Sequence, residues 1–366
     1  MKNPRIRLLL CALLACAPVL AQSHVAPRRV DVAPGIHLFI TPPYGDFGLD
    51  GNSIAIISSD GVLVFDSNGT PAAAQNVLAE IRKLTSQPVK YLVNSHWHWD
   101  HWYGAEVYKK AFPDINIITH EKSRLMMAGP AIEFNRAFVE KDFPGFVQSL
   151  EKRVADGEAA SPQPANLPRL KQVLAQASFL LNQKKNVQHT LATVVFKDKL
   201  EIQLGERQIQ VLNYGPAVTP GDAFLYLPKE KIIVSGDLLI DPIVFALSSY
   251  PTGWLTTLEK MDKLDASIIV PGHGEPLRDR HLMHATMDVM RILLREGKVA
   301  KAKGLDPDQA KAAIMPTLRD LMVKITKDDP NQNKLFELYL VDWYLHRVYD
   351  ELAGPLGDAI APPPRH

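Results

Sequence analysis

An α/β fold made of two similar halves is what this sequence predicts, and three observations carry the prediction. Strand-like and helix-like segments alternate from about residue 50 to residue 120. A helical stretch over 121–190 interrupts them, and the alternation then resumes. The chain has 366 residues, 46% hydrophobic and 22% charged, so it has the material for a sizeable core.

The elements follow in order. Lys2, Arg5 and Arg7 precede LLLCALLACAPVLA, an apolar run too short for a comfortable bilayer span, and Val19 and Ala21 fit cleavage after Ala21. The expectation is a signal peptide over 1–21 and an exported protein, periplasmic or secreted, without a membrane span after cleavage. An uncleaved anchor and a lipoprotein linked through Cys16 are the alternatives. Ordinary cleavage removes Cys11 and Cys16, the only two cysteines, and with them any disulfide, thiolate ligand or cysteine nucleophile.

Next, GNSIAIISSDGVLVFDS reads as two strands joined by a Ser-Asp-Gly turn around 58–61. Val77, Leu78, Ile81 and Leu84 share one side of a helix over 71–85. VKYLVNS is a buried strand, a helix follows across roughly 104–111, and INIITH is another strand. The interruption at 121–190, with its proline-rich SPQPANLP at 161–168, is a helical insertion or lid. Strands resume as ATVVFKD, LEIQLG, QIQVLNYG, DAFLYLP and KIIVSGD, followed by a helix near 254–264 and the strand ASIIVPG. Strand–helix–strand order places functional groups at strand ends. A C-terminal helical extension over 281–352 closes the fold. Its segment LFELYLVDWYLHRVYDEL reads as a helix packed on the core; a membrane or cofactor role fits it less well, and a homodimer contact is the weaker option. The tail over 353–366, ending APPPRH, is expected to be disordered.

The formal net charge is +1, and no basic stripe marks a nucleic-acid surface. A small-molecule substrate is expected instead. The chemistry concentrates in NSHWHWDHWYG, residues 94–104, which packs His96, His98, Asp100 and His101 into six positions. On a strand end, His96 and His98 would point the same way, with Asp100 and His101 turned toward the same point by the loop. Three imidazoles and a carboxylate suit Zn²⁺ or another borderline divalent ion. A solvated polar loop is the poorer reading of such a cluster. Trp97, Trp99, Trp102 and Tyr103 either line an apolar pocket or pack around the loop.

HWHWDH resembles the H-x-H-x-D-H signature of the metallo-β-lactamase-fold hydrolases, and the resemblance spans roughly residues 30–280. GVLVFDS resembles the family's early strand ending in an aspartate, here Asp66. YLPKEKIIVSGDLL resembles the strand pair ending in Gly-Asp, here Asp237, and IIVPGHGEP the loop that delivers the last histidine, here His273. The resemblance implies a four-layer αβ/βα sandwich with a metal site at one edge between the sheets. It implies a second metal site of Asp100, His101 and His273, with Asp237 as a bridge. It implies a first site of three histidines, of which this chain has His96 and His98. The third falls in the family's G-H-T-x-G stretch; here that stretch is GPAVTPGD and the position is Val218.

Valine has no lone pair to give. The expectation is therefore one tightly bound Zn²⁺, iron or manganese being the alternatives, and a second site that is weak or absent. His120 and His189, outside the ligand motifs, are expected to be structural or surface residues. Asp66 is expected to accept hydrogen bonds from the ligand loop's backbone. The same gap sets the chain apart from iron sulfur-dioxygenases of this fold, whose facial triad uses the missing histidine. The function expected is hydrolysis of an ester, lactone, thioester or amide by metal-activated water, with Asp100 or Asp237 steering the water. A degenerate, non-catalytic binding protein and a phosphodiesterase are the alternatives. β-Lactams are a weaker substrate candidate, because no carboxylate-binding lysine is recognisable.

Overall fold

The computed structural model describes residues 26–43 and 50–357. The expected signal peptide and the last part of the tail lie outside the described residues.

β1 (Arg28–Ala33), β2 (Ile36–Ile40), β3 (Ser53–Ser58) and β4 (Gly61–Phe65) form antiparallel hairpins. The β3–β4 turn is Ser59-Asp60 followed by Gly61, whose φ of 140° suits glycine. α1 (Pro71–Leu84) begins at Thr70, whose hydroxyl accepts from the Ala73 amide, and buries Val77, Leu78 and Ile81. β5 (Val89–Val93), α2 (Trp99–Trp102), α3 (Ala105–Ala111) and β6 (Asn116–His120) follow.

Four helices then separate β6 from β7 (Val194–Phe196): α4 (Glu121–Met127), α5 (Pro130–Ala137), α6 (Phe143–Ala159) and α7 (Leu167–Lys185), with a π-helical stretch over Phe138–Asp142. SPQPANLP is the connection from α6 into the start of α7. β8 (Lys199–Leu204), β9 (Arg207–Leu212), β10 (Phe224–Leu227) and β11 (Ile232–Gly236) form a second antiparallel set, to which β12 (Ile268–Pro271) adds in parallel after α8 (Pro251–Met261). α9 (His281–Ala302), α10 (Pro307–Thr326), α11 (Pro330–Leu335), a second π-helical stretch (Phe336–Asp342) and α12 (Trp343–Ala353) complete the described chain.

The first sheet runs β1 to β7 in chain order, and the second runs β12-β11-β10-β9-β8. Their inner faces meet in one apolar layer: Ile36, Leu38, Ile54, Leu63 and Phe65 from the first against Ile209, Val211, Leu225, Val234 and Val270 from the second. Outside the first sheet, α1 and α3 contribute Val77, Ile81 and Tyr108 to a second layer. Outside the other, α8, α9, α10 and α12 bury Trp254, Met290, Leu318 and Tyr344. This is the four-layer αβ/βα sandwich. Burial of this apolar area, at about 25 cal/mol per Å², is what holds the two halves together.

The aromatic C-terminal segment packs on the core through Phe336, Leu340, Tyr344, Leu345 and Val348. Its π-helical winding is not a feature periodicity predicts. The wider turn leaves the Tyr339 carbonyl free to accept from the Ala246 amide at 3.0 Å.

Candidate metal centre

Two parallel strand pairs, β4–β5 and β11–β12, end on the same side of the sandwich. Asp66 follows β4, the histidine cluster follows β5, Asp237 follows β11 and His273 follows β12 by one residue. One detail of the sequence reading changes. β5 stops at Val93, so His96 and His98 are not on a strand. They lie in the loop after it, and His98 is the N-cap of the short helix α2, which carries Asp100 and His101. The Asn94 amide still bonds the Ile118 carbonyl (2.9 Å), and the strand's regular ladder breaks down beyond it.

Asp66 organises this loop from behind. It is fully buried, at a left-handed φ of 61° that an aspartate tolerates better than most residues. Its Oδ1 accepts the Ser95 amide (2.6 Å) and its Oδ2 accepts the Ser95 hydroxyl (2.8 Å). Oδ2 also lies 2.8 Å from His101 Nδ1. The Ser95 hydroxyl has spent its proton on Asp66, so it accepts from His96 Nδ1, 2.9 Å away. One carboxylate therefore fixes two imidazole tautomers, directly at His101 and through Ser95 at His96. Both rings are left with Nε2 lone pairs facing the site. Sequence reasoning expected only the backbone contact.

The six candidate donors form two sets, Asp100–His101–His273 and His96–His98–Asp237. Asp100 Oδ2 is 3.2 Å from His101 Nε2 and 3.1 Å from His273 Nε2. Asp237 Oδ1 stands 3.2 and 3.4 Å from the same two nitrogens. Donors at about 2.0–2.1 Å from a tetrahedral ion stand about 3.3–3.4 Å apart, so this set fits a zinc-sized ion. The other set is looser: Asp237 Oδ2 is 3.6 Å from His96 Nε2 and 4.0 Å from His98 Nδ1. His96 Nε2, His101 Nε2 and Asp237 Oδ1 are buried without hydrogen-bond partners. Buried polar atoms are rarely left so; a divalent ion at the tight set would satisfy His101 Nε2 and Asp237 Oδ1, while His96 Nε2 belongs to the looser set.

The backbone behind the donors is equally specific. A Cβ at Gly272 would meet Asp237 Oδ1 at 2.1 Å, and one at Gly51 would meet the Asp100 carbonyl at 2.6 Å. Asn52 clamps the His273 loop to the start of β3. Its amide donates to the Gly272 carbonyl (2.7 Å), and its side chain donates to those of Pro271 (2.9 Å) and Gly274 (3.0 Å).

Electrostatics describe the same cage without an ion. Burial alone would push Asp100 and Asp237 up, but the imidazoles of His101 and His273 overcome it and hold both carboxyls well below the usual range. Burial opposes charge on His273, yet Asp237 and Asp100 raise it to about 10; the same aspartates, with Asp66, hold His101 well above its usual value. Without an ion the carboxylates favour a proton on each of these two rings; a bound cation would displace those protons and leave the Nε2 lone pairs to hold it. His96 is driven well down, first by burial and then by its histidine neighbours.

Val218 is fully buried among apolar side chains of the second outer layer. Neither His120 nor His189 takes its place. His120 caps α4, its Nδ1 accepting the Lys122 amide, and its ring lies against Phe196. His189 packs against Trp102 and Tyr103. Trp97, Trp102 and Tyr103 are themselves buried, with Trp102 Nε1 donating to the Trp97 carbonyl, so these three pack around the loop. Trp99 is partly exposed, and Lys184 of α7 lies over its ring, 3.4 Å from the centroid. Burial lowers this lysine to about 7. No sequence pattern marked Lys184. A cavity of about 600 Å³ lies elsewhere, between α1, α3 and the end of α7. Its Glu106 is engaged by Lys110 and the Gln188 amide, and it holds none of the six donors.

Residues 46–273 match the Lactamase_B family, described as the metallo-beta-lactamase superfamily. The linear primary-alkylsulfatase of Pseudomonas sp. (strain ATCC 19151) is 22% identical over 265 residues, 69% of this chain and 48% of that protein. The chain thus spans about half the length of that curated relative. Among solved structures, the metallo-beta-lactamase from Pontibacter korlensis superposes with a TM-score of 0.52 at 16% identity, covering 72% of this chain and 99% of that one. The stereoselective inverting sec-alkylsulfatase Pisa1 from Pseudomonas sp. superposes with a TM-score of 0.61 at 16% identity, covering 91% of this chain and 51% of that one. With its sandwich, its motif order and its strand-end donors in agreement with that match, the chain belongs to the metallo-β-lactamase superfamily.

Proposed function

We propose that this protein is a metal-dependent hydrolase that cleaves an ester, lactone, thioester or amide bond of a small molecule, with one tight metal site and a second that is weak or absent. The observation that carries the reading is the contrast between the two donor sets. Asp100, His101 and His273 stand 3.1–3.2 Å apart around Asp100 Oδ2, whereas His96 and His98 share only the far oxygen of Asp237 at 3.6 and 4.0 Å.

Asp100, His101, His273 and Asp237 would hold the tight ion. Bound there, a zinc ion would supply Lewis acidity and lower the pKa of a coordinated water to about 7. The protein's part is positional. Asp66 keeps the His101 and His96 lone pairs directed inward, and Asn52 holds the His273 loop. Asp100, whose side chain is 12% exposed against 4% for Asp237, is the better placed of the two carboxylates to orient an incoming water. His98, unlike His96, is partly open to solvent, so it can donate to a developing oxyanion or accept a proton.

Sulfate esters are a second reading. The alkylsulfatase match covers more of this chain than the metallo-beta-lactamase match does, 91% against 72%. We also propose that the protein works after export, in keeping with the basic and apolar start of the sequence.

The test is metal content after chelator-free purification, measured beside turnover of carboxylic ester, lactone, β-lactam and alkyl sulfate substrates. About one ion per chain with chelator-sensitive hydrolysis is expected. Two tightly held ions would overturn the one-metal reading, and neither metal nor turnover would leave a binding protein as the better description.

A further inference from the structure

His98, the most accessible of the histidine donors, touches two aromatic groups. Trp97 meets its ring edge-on at 4.5 Å between centroids, and Phe134 of α5 meets Trp97 at 6.1 Å. Phe245 meets the His98 ring at 5.9 Å. Phe245 in turn contacts Tyr339 at 5.2 Å and Trp343 at 4.7 Å, and those two rings stack at 4.8 Å. Phe245, Tyr339 and Trp343 are each partly exposed, and Phe134 is 37% exposed. Buried aromatics elsewhere in the chain, such as Trp254 and Tyr344, show no such open edge.

The placement of these rings in the chain is informative. Phe134 comes from the helices between β6 and β7. Tyr339 and Trp343 come from the C-terminal helices, beyond the 46–273 match. The π-helical stretch fixes the second group by bonding the Tyr339 carbonyl to the Ala246 amide, beside Phe245. Two separate segments thus place partly exposed rings against Trp97 and Phe245, the aromatic neighbours of His98. Flat, weakly hydrated rings flanking a polar centre suit a substrate whose reacting group sits at the metal and whose remaining bulk is apolar.

We infer that Phe245, Tyr339 and Trp343 form a wall that binds the hydrocarbon part of the substrate, with its polar head at His98. The inference rests on the hydrolase reading for the head group and on the ring geometry for the tail.

The two are separable by binding. Acetate, butyrate and octanoate, as product-like carboxylates, are titrated calorimetrically into the full zinc-loaded chain. Affinity is expected to rise with length, by up to about fourfold per methylene that becomes buried. Tyr339→Ala should lower octanoate affinity about tenfold and acetate affinity less than twofold. Trp343→Leu, which keeps bulk in the helix packing, should act in the same direction with unchanged circular dichroism. Equal affinity for the three acids in the parent protein would overturn the inference without any variant. So would a Tyr339→Ala protein that loses acetate and octanoate equally. A chain that shows the length dependence yet hydrolyses no ester or sulfate would keep the apolar wall and discard the hydrolase.

Discussion

Replacing Asp66 by asparagine removes one charge and hardly any volume. At the Ser95 backbone amide little is lost, because the amide oxygen can still accept the Ser95 N–H at the 2.6 Å position. At His101 the amide nitrogen would take the place of Oδ2, 2.8 Å from Nδ1. Two N–H groups would then face each other, unless His101 moves its proton to Nε2. That nitrogen is the one aimed at Asp100 and Asp237, so the relieved contact blocks the donor. The Ser95 hydroxyl, which now bonds Asp66 and lines up His96 Nδ1, loses its charged acceptor as well. Losing a hydrogen bond to a buried charge costs about 1.5–3 kcal/mol. Loss of an outer hydrogen-bonding partner typically weakens metal binding about 10–100-fold, or about 1.4–2.8 kcal/mol, and the two figures agree. The assay is competition for zinc against a chromophoric chelator at pH 7.5, with circular dichroism as the control for folding. A folded Asp66→Asn protein that binds zinc within threefold of the parent would refute the argument that Asp66 sets the tautomers.

Gly272→Ala should weaken zinc binding at least tenfold in the same assay while the chain stays folded, because the new methyl meets the shared Asp237 carboxylate at 2.1 Å; Gly129→Ala, with nothing within 4 Å of the added carbon, is the neutral comparison. Val218→His should raise the zinc content measured by atomic absorption toward two per chain; an unchanged content would mean that position 218 does not address the first site. The metal-free protein should lose stability as pH rises. His273, raised to about 10 by Asp237 and Asp100 against burial, contributes stability that is fully present below the unfolded value near 6.5 and lost as pH climbs through 10. Thermal unfolding from pH 6.5 to 9 should therefore show a falling midpoint with chelator present and a flatter one with zinc, and parallel curves would refute the assignment.

The candidate donors were legible because strand ends and short motifs are local. His96, His98, Asp100 and His101 lie within six residues, and Gly236-Asp237 and Gly272-His273 each follow an apolar strand. The same locality misled about backbone detail. The run VKYLVNS looks like uninterrupted strand, but pairing with β6 ends near Val93 because the loop must turn to bring four donors inward. Asp66 was visible as the end of a strand, whereas its hold on two imidazole rings depends on side-chain directions that spacing does not encode. Asn52 gave no signal, since its partners at Pro271 and Gly274 are 219 and 222 residues away. Trp97, Trp102 and Tyr103 left pocket and packing equally open in sequence; burial decides for packing. The aromatic edge beside His98 comes instead from Phe245, Tyr339 and Trp343, which no motif joins.

The Asn52 clamp has a consequence for the order of events during folding. It ties the entry to β3, in the first sheet, to the loop after β12, the last strand of the second. His96, His98, Asp100 and His101 come from one stretch of the first half, whereas Asp237, His273 and the carbonyls that Asn52 holds come from the second. The ion proposed for the Asp100 set would therefore require the assembled sandwich, and its uptake would report that the two halves have met in register.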